Sequence, residues 1–324
     1  MVEKIRDNLY RMSIPLPLTP LKALNSYVIK GRERNLIIDT GFNREECLSA
    51  MQNGLKELAV DLARTDLFVT HMHADHSGLI SHLATPSSRI YCSQKDGEMI
   101  NASRRGENWQ GVLQQVIKYG FRTDEDITDY LPGKRYRISN QVDFTYVREG
   151  DRIEIDDYCF VCLETPGHTK GHICLYEENY KILISGDHIL PKITPNISKW
   201  FNSENPLADY IKSLDKLENL EVELVLPGHR DIFTDLKGRI RELKKHHERR
   251  CREVLDILAG YEMVDAFTLA SQMEWDISLA WDDFPVPQKW FALGEALSHL
   301  KYLQAEGKVE EIEGEVVKYR KCQQ

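Results

Sequence analysis

The chain has 324 residues, 42% of them hydrophobic and 29% charged, with a formal net charge of -9. That length can bury one substantial core with room for a second small domain, and the acidic balance argues against a general nucleic-acid binder. No run approaches the roughly 18 apolar residues of a membrane span, Met1–Arg6 lacks the apolar core of a signal peptide, and an odd number of cysteines, seven, does not suggest a disulfide framework, so a cytoplasmic protein without a membrane partner is expected.

From Asn8 to about Val60, short β-like runs at Ser26–Lys30 and Asn35–Asp39 alternate with turns at Gly31 and Gly41, and a helical pattern begins at Asn43. The apolar run Asp66–Thr70 then opens into T-H-M-H-A-D-H-S-G-L, which places His71, His73, Asp75 and His76 within six positions. Neutral imidazole and carboxylate suit zinc and related divalent ions, and so many in one segment exceed what a single tetrahedral ion needs. Two ions are therefore expected.

A polar insertion runs from Ser93 to Gly150, with helical spacing at Asn108–Ile117 and a break at Leu131–Gly133. Such an insertion would cover the metals and shape the substrate pocket. Three later segments share one local build: T-P-G-H at Thr165–His168 after Cys159–Leu163, S-G-D at Ser185–Asp187 after Ile182–Ser185, and P-G-H at Pro227–His229 after Glu223–Leu226. Apolar runs ended by Pro or Gly read as buried strands, so the ligand-type residues sit in loops along one edge of a sheet. Cys159 and Cys162 form a C-x-x-C inside such a strand, lack a second pair, and read as buried thiols. Leu190–Phe201, directly after Asp187, is either a pocket segment or a structured surface loop.

The last quarter changes character. Asp235–Arg252 holds eight Lys or Arg residues against three acids and reads as a long basic helix, for which a solvated face is the commoner explanation. Phe267–Met273 follows, then Trp290–Ala305, with Leu293, Ala296, Leu297, Leu300 and Leu303 at helical spacing. Gly307–Tyr319 reads as a hairpin turning at Glu313-Gly314. Glu306–Lys318 carries five acids and two lysines, the wrong sign for phosphate contact, which favours a packing or dimerisation element.

H-x-H-x-D-H at His71–His76, T-P-G-H-T-x-G-H at Thr165–His172, G-D at Gly186-Asp187 and P-G-H at Pro227–His229 together resemble the metallo-β-lactamase superfamily, and more narrowly its glyoxalase-II-like hydrolase branch. The resemblance covers about the first three-quarters of the chain. It implies an α/β fold, an αββα sandwich of two mixed β-sheets flanked by helices. It assigns His71, His73 and His168 to a first metal, Asp75, His76 and His229 to a second, and Asp187 to a bridge between them, with two Zn2+ per chain and iron or manganese as alternatives. The terminal helices and hairpin resemble the small winged-helix domain of one subgroup, giving a catalytic domain at 1–234, a basic linker helix at 235–260 and a winged-helix-like domain at 261–324. Asp187 and the extra His76 stand where zinc β-lactamases commonly use a cysteine, so antibiotic hydrolysis is not expected. His73 stands where di-iron relatives carry a glutamate.

The expected activity is hydrolysis of an ester, thioester or lactone carbonyl by a metal-bridging hydroxide, with Asp75 and Asp187 as the catalytic carboxylates. An endoribonuclease or other phosphodiesterase using the same metals is the alternative, supported by the basic helix, and an iron-dependent oxygenase of the persulfide-dioxygenase type is a further one. Asp39 is the candidate acceptor for a ligand imidazole, His172 a neighbour of the site and His188 a donor to substrate. The expected partner is a small-molecule substrate, with RNA as the alternative and a homodimer plausible from the apolar helix face. No segment reads as a substrate-recognition motif.

Overall fold

Seven strands cross the first sheet in chain order: β1 (Val2–Arg6), β2 (Leu9–Leu16), β3 (Lys22–Ile29), β4 (Asn35–Ile38), β5 (Thr65–Phe68), β6 (Ile90–Ser93) and β7 (Thr145–Val147). Pairing is antiparallel from β1 to β4 and parallel from β4 to β7. The structure, a computed structural model, describes residues 1–17, 19–105, 109–122, 136–199 and 204–323. The second sheet holds β8 (Arg152–Ile155), β9 (Tyr158–Glu164), β10 (Ile173–Glu177), β11 (Ile182–Gly186) and β12 (Leu224–Pro227), antiparallel except for the parallel pair of β11 and β12.

Successive side chains of a strand point to opposite faces, and that alternation sorts the chain into layers. Leu36 and Ile38 of β4, Phe68 of β5, Phe160 of β9, Leu175 of β10 and Ile184 of β11 fill the core between the sheets. Ile37 and Leu67 turn the other way, onto α1 (Glu45–Glu57), α2 (Ala74–Ser77) and α3 (Ile80–Leu83). On α1, Cys47, Met51 and Leu55 recur every fourth residue and are buried, Met51 and Leu55 each contributing about 1.5–3 kcal/mol. α4 (Gln94–Arg105) and α5 (Trp109–Lys118) follow β6. On the outer face of the second sheet, Cys174, Leu183 and Val225 pack against α6 (Pro206–Glu218) and α7 (Leu236–Ala259). Strands such as β4, β5, β10 and β11 are covered on both faces, which is why Leu36–Ile38, Leu67–Phe68, Ile173–Tyr176 and Ile182–Ile184 read as apolar stretches. The expected αββα sandwich of two mixed sheets is the observed fold.

Asp235 caps α7, accepting the Gly238 N–H at 2.8 Å. The buried stripe of this helix is Leu236, Ile240, Leu243, His247, Arg250, Val254 and Leu258. Its first three members join the core of the second sheet, and Val254 and Leu258 join a separate core with α8 (Ala266–Gln272) and α9 (Val286–Ala305). That core is closed by a sheet in the order β13 (Val264–Asp265), β15 (Lys318–Lys321), β14 (Val309–Ile312). Ile312 pairs with Lys318, so the chain reverses through Glu313–Val317, not in a two-residue turn at Glu313-Gly314.

The solvated face expected for the basic helix holds for five of its eight basic residues, and the other three are paired within the fold. Lys244 Nζ lies 2.6 Å from both Asp215 and Glu218, Arg239 donates to the carbonyls of Leu190 and Ile193, and Arg250 is buried against Glu253 and the Trp275 ring. Lys237, Arg241, Lys245, Arg249 and Arg252 remain exposed. The end of α5 and the residues after it (Val116, Tyr119, Phe121) pack into the C-terminal core, which anchors the insertion there. Leu131–Gly133, Trp200 and Phe201 lie outside the described residues. The described cysteines are all free thiols, Cys162 buried and Cys159 half-buried. Among the described residues no helix is long and apolar enough to cross a membrane.

Candidate metal centre

Loops from both sheets meet at one end of the sandwich, stitched by main-chain bonds. Ile173 N–H donates to Thr70 O at 2.9 Å, Gly228 N–H to Gly186 O at 2.8 Å, and Asn25 N–H to Gly228 O at 2.7 Å. The ends of β5, β9, β11 and β12 therefore bring His71–His76, His168, Asp187 and His229 together. Three overlapping groups have ligand atoms within 4.8 Å of one another: His71 with His73 and His168, His71 with His76 and Asp187, and Asp75 with His76 and His229. His71 Nε2 and His168 Nε2 each lie 3.0 Å from His73 Nδ1. Asp187 spans the set, with Oδ1 3.5 Å from His76 Nε2, and Oδ2 3.3 Å from His229 Nε2 and 3.8 Å from His168 Nε2. Asp75 Oδ2 is 3.3 Å from His229 Nε2.

The outward ring nitrogens decide where the protons sit. His76 Nδ1–H donates to Asp39 Oδ2 at 2.7 Å, His168 Nδ1–H to the Asn196 carbonyl at 2.8 Å, and His229 Nδ1–H to the Ala23 carbonyl at 2.8 Å. The Thr70 hydroxyl gives its proton to Asp39 Oδ2 at 2.8 Å, so at 3.0 Å it accepts from His71 Nδ1–H. Each ring so oriented turns its Nε2 inward. His76 Nε2, His229 Nε2 and Asp187 Oδ1 are buried without a hydrogen-bond partner. An orphaned buried polar group costs about 1–3 kcal/mol, and a single proton on His73 Nδ1 would have to serve both His71 Nε2 and His168 Nε2 at 3.0 Å. A divalent cation would answer every one of these inward atoms, so the donor set fits a metal.

The protonation pattern divides the cluster. Burial, and then the neighbouring imidazoles, push His71 well below its ordinary value, and burial pushes His73 down to about 3 and lowers His168, leaving neutral rings. Around the carboxylates the order reverses. Burial opposes it, but Asp187 and Asp75 push His229 up to about 10, and Asp39, Asp187 and Asp75 raise His76. Against burial, His76 and His229 hold Asp75 down to about 2, and Asp187 is held well below the usual carboxylate range. A metal would take the place of the protons on these two imidazoles.

Asp39 holds left-handed backbone (φ 60) and accepts the Thr70 N–H at 2.9 Å as well as the Thr70 and His76 bonds. Its side chain thus serves the turn and the imidazole at once. His172 is buried, with Nδ1 2.8 Å from the Thr165 hydroxyl, and its Nε2 accepts the Asp187 N–H at 3.2 Å. It orients the Asp187 backbone. The fully buried His188 ring packs against His172 and Tyr210, with centroids 5.6 Å and 4.8 Å away.

Sequence reasoning missed Asp96. Its buried carboxylate accepts Met72 N–H at 2.9 Å, the Thr169 hydroxyl at 2.5 Å and Gly171 N–H at 2.8 Å, tying the loop of His71 and His73 to the loop of His168. Burial pushes this carboxyl up to about 6, with those three donors pulling it back. The available signal was Ser93-x-x-Asp96 at a helix start, where Ser93 Oγ accepts Asp96 N–H at 3.2 Å. The side chain turns instead toward the ligand loops.

This sandwich, with histidines and carboxylates gathered at its strand ends, defines a metal-dependent hydrolase. Residues 20–229 match the metallo-beta-lactamase superfamily and residues 281–322 the metallo-beta-lactamase-like C-terminal domain. The chain belongs to the metallo-beta-lactamase superfamily, whose members typically bind divalent metals. It is similar to a beta-lactamase-like protein 2 homolog of Caenorhabditis elegans, 24% identical over 321 residues that cover 98% of this chain and 91% of that protein. It is 27% identical to a probable metallo-hydrolase of Bacillus subtilis, covering 86% and 87%. It is 28% identical to human acyl-coenzyme A thioesterase MBLAC2, covering 64% and 74%. Among solved structures it is similar to a metallo-beta-lactamase family protein from Thermus thermophilus, with TM-score 0.83, 27% identity and coverage of 98% and 100%. A beta-lactamase domain protein from Burkholderia ambifaria shares the fold, with TM-score 0.81, 24% identity and coverage of 99% and 95%.

Proposed function

We propose that the chain is a dinuclear zinc hydrolase of thioesters, with His71, His73 and His168 holding the first ion, Asp75, His76 and His229 the second, and Asp187 shared between them. The observation that carries the reading is the inward convergence of imidazole nitrogens and the unpartnered Asp187 Oδ1 in one buried cluster. Such ions supply a water acidified toward neutrality and a Lewis acid for the carbonyl oxygen. Asp187 lies near His168 of the first half of the ligand set and His76 and His229 of the second, and His172 fixes the strand end that carries it.

The leaving group follows from the proton inventory. Asp75 and Asp187 are held ionised, and the His168 and His229 Nδ1 protons are committed to main-chain carbonyls. Asp75, Asp187 and His168 thus offer no proton to a departing atom at neutral pH, and metal on the Nε2 of His76 and His229 would displace the protons those rings otherwise hold. A thiol, with an ordinary pKa of about 8.5, leaves as thiolate without one, whereas an alkoxide does not. The similarity to acyl-coenzyme A thioesterase MBLAC2 agrees with that chemistry. For RNA, the internal pairing of Lys244, Arg239 and Arg250 leaves a thinner basic face than the sequence offered. The C-terminal helices and hairpin are read as a winged-helix-like module that packs on the catalytic part.

Metal-quantified protein, assayed side by side on acyl-coenzyme A thioesters, lactones, phosphodiesters and single-stranded RNA, tests the reading. Thioester cleavage should dominate and vanish on chelation. Faster cleavage of RNA, or thioester turnover that survives complete metal removal, would overturn it.

A further inference from the structure

We propose that Asn196, in the loop after β11, and Glu295, on the C-terminal helix α9, form a relay that orients His168 for metal binding, so that the C-terminal part of the chain belongs to the metal site. The inference rests on the ligand assignment above. His168 Nδ1–H donates to the Asn196 main-chain carbonyl at 2.8 Å, and that bond sets which way Nε2 points. Residues 194–199 form neither helix nor strand, so regular main-chain pairing does not hold that carbonyl in place.

The holding contacts come from the C-terminal part and the insertion. Asn196 Nδ2–H donates to Glu295 Oε2 at 3.4 Å, Lys199 N–H donates to the Gly294 carbonyl at 3.0 Å, and Lys199 Nζ reaches the Tyr119 hydroxyl at 3.3 Å. Glu295 is itself fixed. Its side chain is only 13% exposed, its Oε1 lies 3.9 Å from Arg250 Nε, and Arg250 is pinned by Glu253, the Glu274 carbonyl and the Trp275 ring. A carboxylate placed there costs desolvation that an apolar residue would avoid, and a loop tether is what its position provides in exchange. Glu295 and Asn196 are positioning residues, since they act on the metal through His168.

The test uses the full-length chain and Co2+, followed by its visible absorption in competition with a chelator. His168→Ala identifies which of two equivalents depends on that ring. Asn196→Ala and Glu295→Ala should each weaken that equivalent about tenfold, the lower end of the effect of losing a partner of a ligand, and leave the other within twofold. The double variant should bind no more weakly than either single one, because both cut one path. Glu295→Gln should recover most of the loss, its amide oxygen still accepting from Asn196. Should Glu295→Ala fail to fold, Asn196→Ala, a half-buried loop residue, still decides. Wild-type affinity for both equivalents in Asn196→Ala, or no rescue by glutamine, overturns the relay alone. A wild-type chain that takes up no Co2+ overturns the ligand assignment with it.

Discussion

Adding one methyl group at Gly228 should disable the site without replacing a ligand. A Cβ built there would lie 2.4 Å from Asp187 Oδ1 and 2.8 Å from His76 Cε1. Non-bonded heavy atoms rest about 3.5 Å apart, so the overlap with the carboxylate is about 1 Å. Nothing nearby can give cheaply. Asp187 is buried, the His76 ring is held by Asp39, and the Gly228 backbone is pinned by Gly186 on one side and Asn25 on the other. Gly228 does not hold a positive φ, so alanine adds no intrinsic backbone strain and the clash acts alone. Overpacking of this kind costs about 1–3 kcal/mol of stability, and a displacement of about 1 Å at a reacting group can cost about 100-fold in rate. Gly228→Ala should therefore lower kcat/KM by about two orders of magnitude, with a small drop in Tm and loss of bound metal. The assay is thioester hydrolysis normalised to folded protein, with metal content measured on the same sample. Full metal content and a rate within twofold of wild type would refute the reasoning.

Three further outcomes are expected. Asp39→Asn removes a carboxylate that serves His76 Nδ1 and Thr70 together, and should weaken metal binding by about 10–100-fold in a chelator competition. The Asp96 carboxyl, ordinarily near 3.8, is raised to about 6 in the fold. Its protonated form is favoured by folding, so that contribution is complete below pH 3.8 and is lost as pH rises to about 6. The Tm difference between wild type and Asp96→Asn should shift against wild type across that window, and a difference flat with pH would contradict the burial argument. Lys244→Glu should lower Tm by placing a third acid beside Asp215 and Glu218, while the exposed Lys245→Glu should leave it unchanged. Loss of salt-sensitive RNA binding in gel shift on reversing Lys245 would instead support the nuclease alternative.

The ligand-type residues are legible in the sequence for a physical reason. Metal chemistry restricts them to a few side-chain types, here His and Asp, and buried strands ended by Gly or Pro mark where each loop begins. The strand runs are equally plain, since β4, β5 and β11 are covered on both faces and carry the apolar stretches Leu36–Ile38, Leu67–Phe68 and Ile182–Ile184. What holds the ligands is less visible. The acceptors for His168 and His229 are the carbonyls of Asn196 and Ala23, which any residue type would supply, so no side chain announces them. Asp96 looks like an ordinary helix-start acid, and only the fold places it between two ligand loops. The basic helix misleads because a charge run cannot show which members face acids on another element, as Lys244 faces α6. Asp187 itself is marked only by its place after Gly186, yet its Oδ2 lies between His229 of one half of the cluster and His168 of the other.

Metal content per chain tests the two-ion account most directly. After saturation with Zn2+ and dialysis, wild type should retain two ions per chain as counted by elemental analysis, and Asp187→Ala no more than one, with turnover falling in step. Retention of fewer than one ion by wild type, or of two by Asp187→Ala with activity intact, would contradict it.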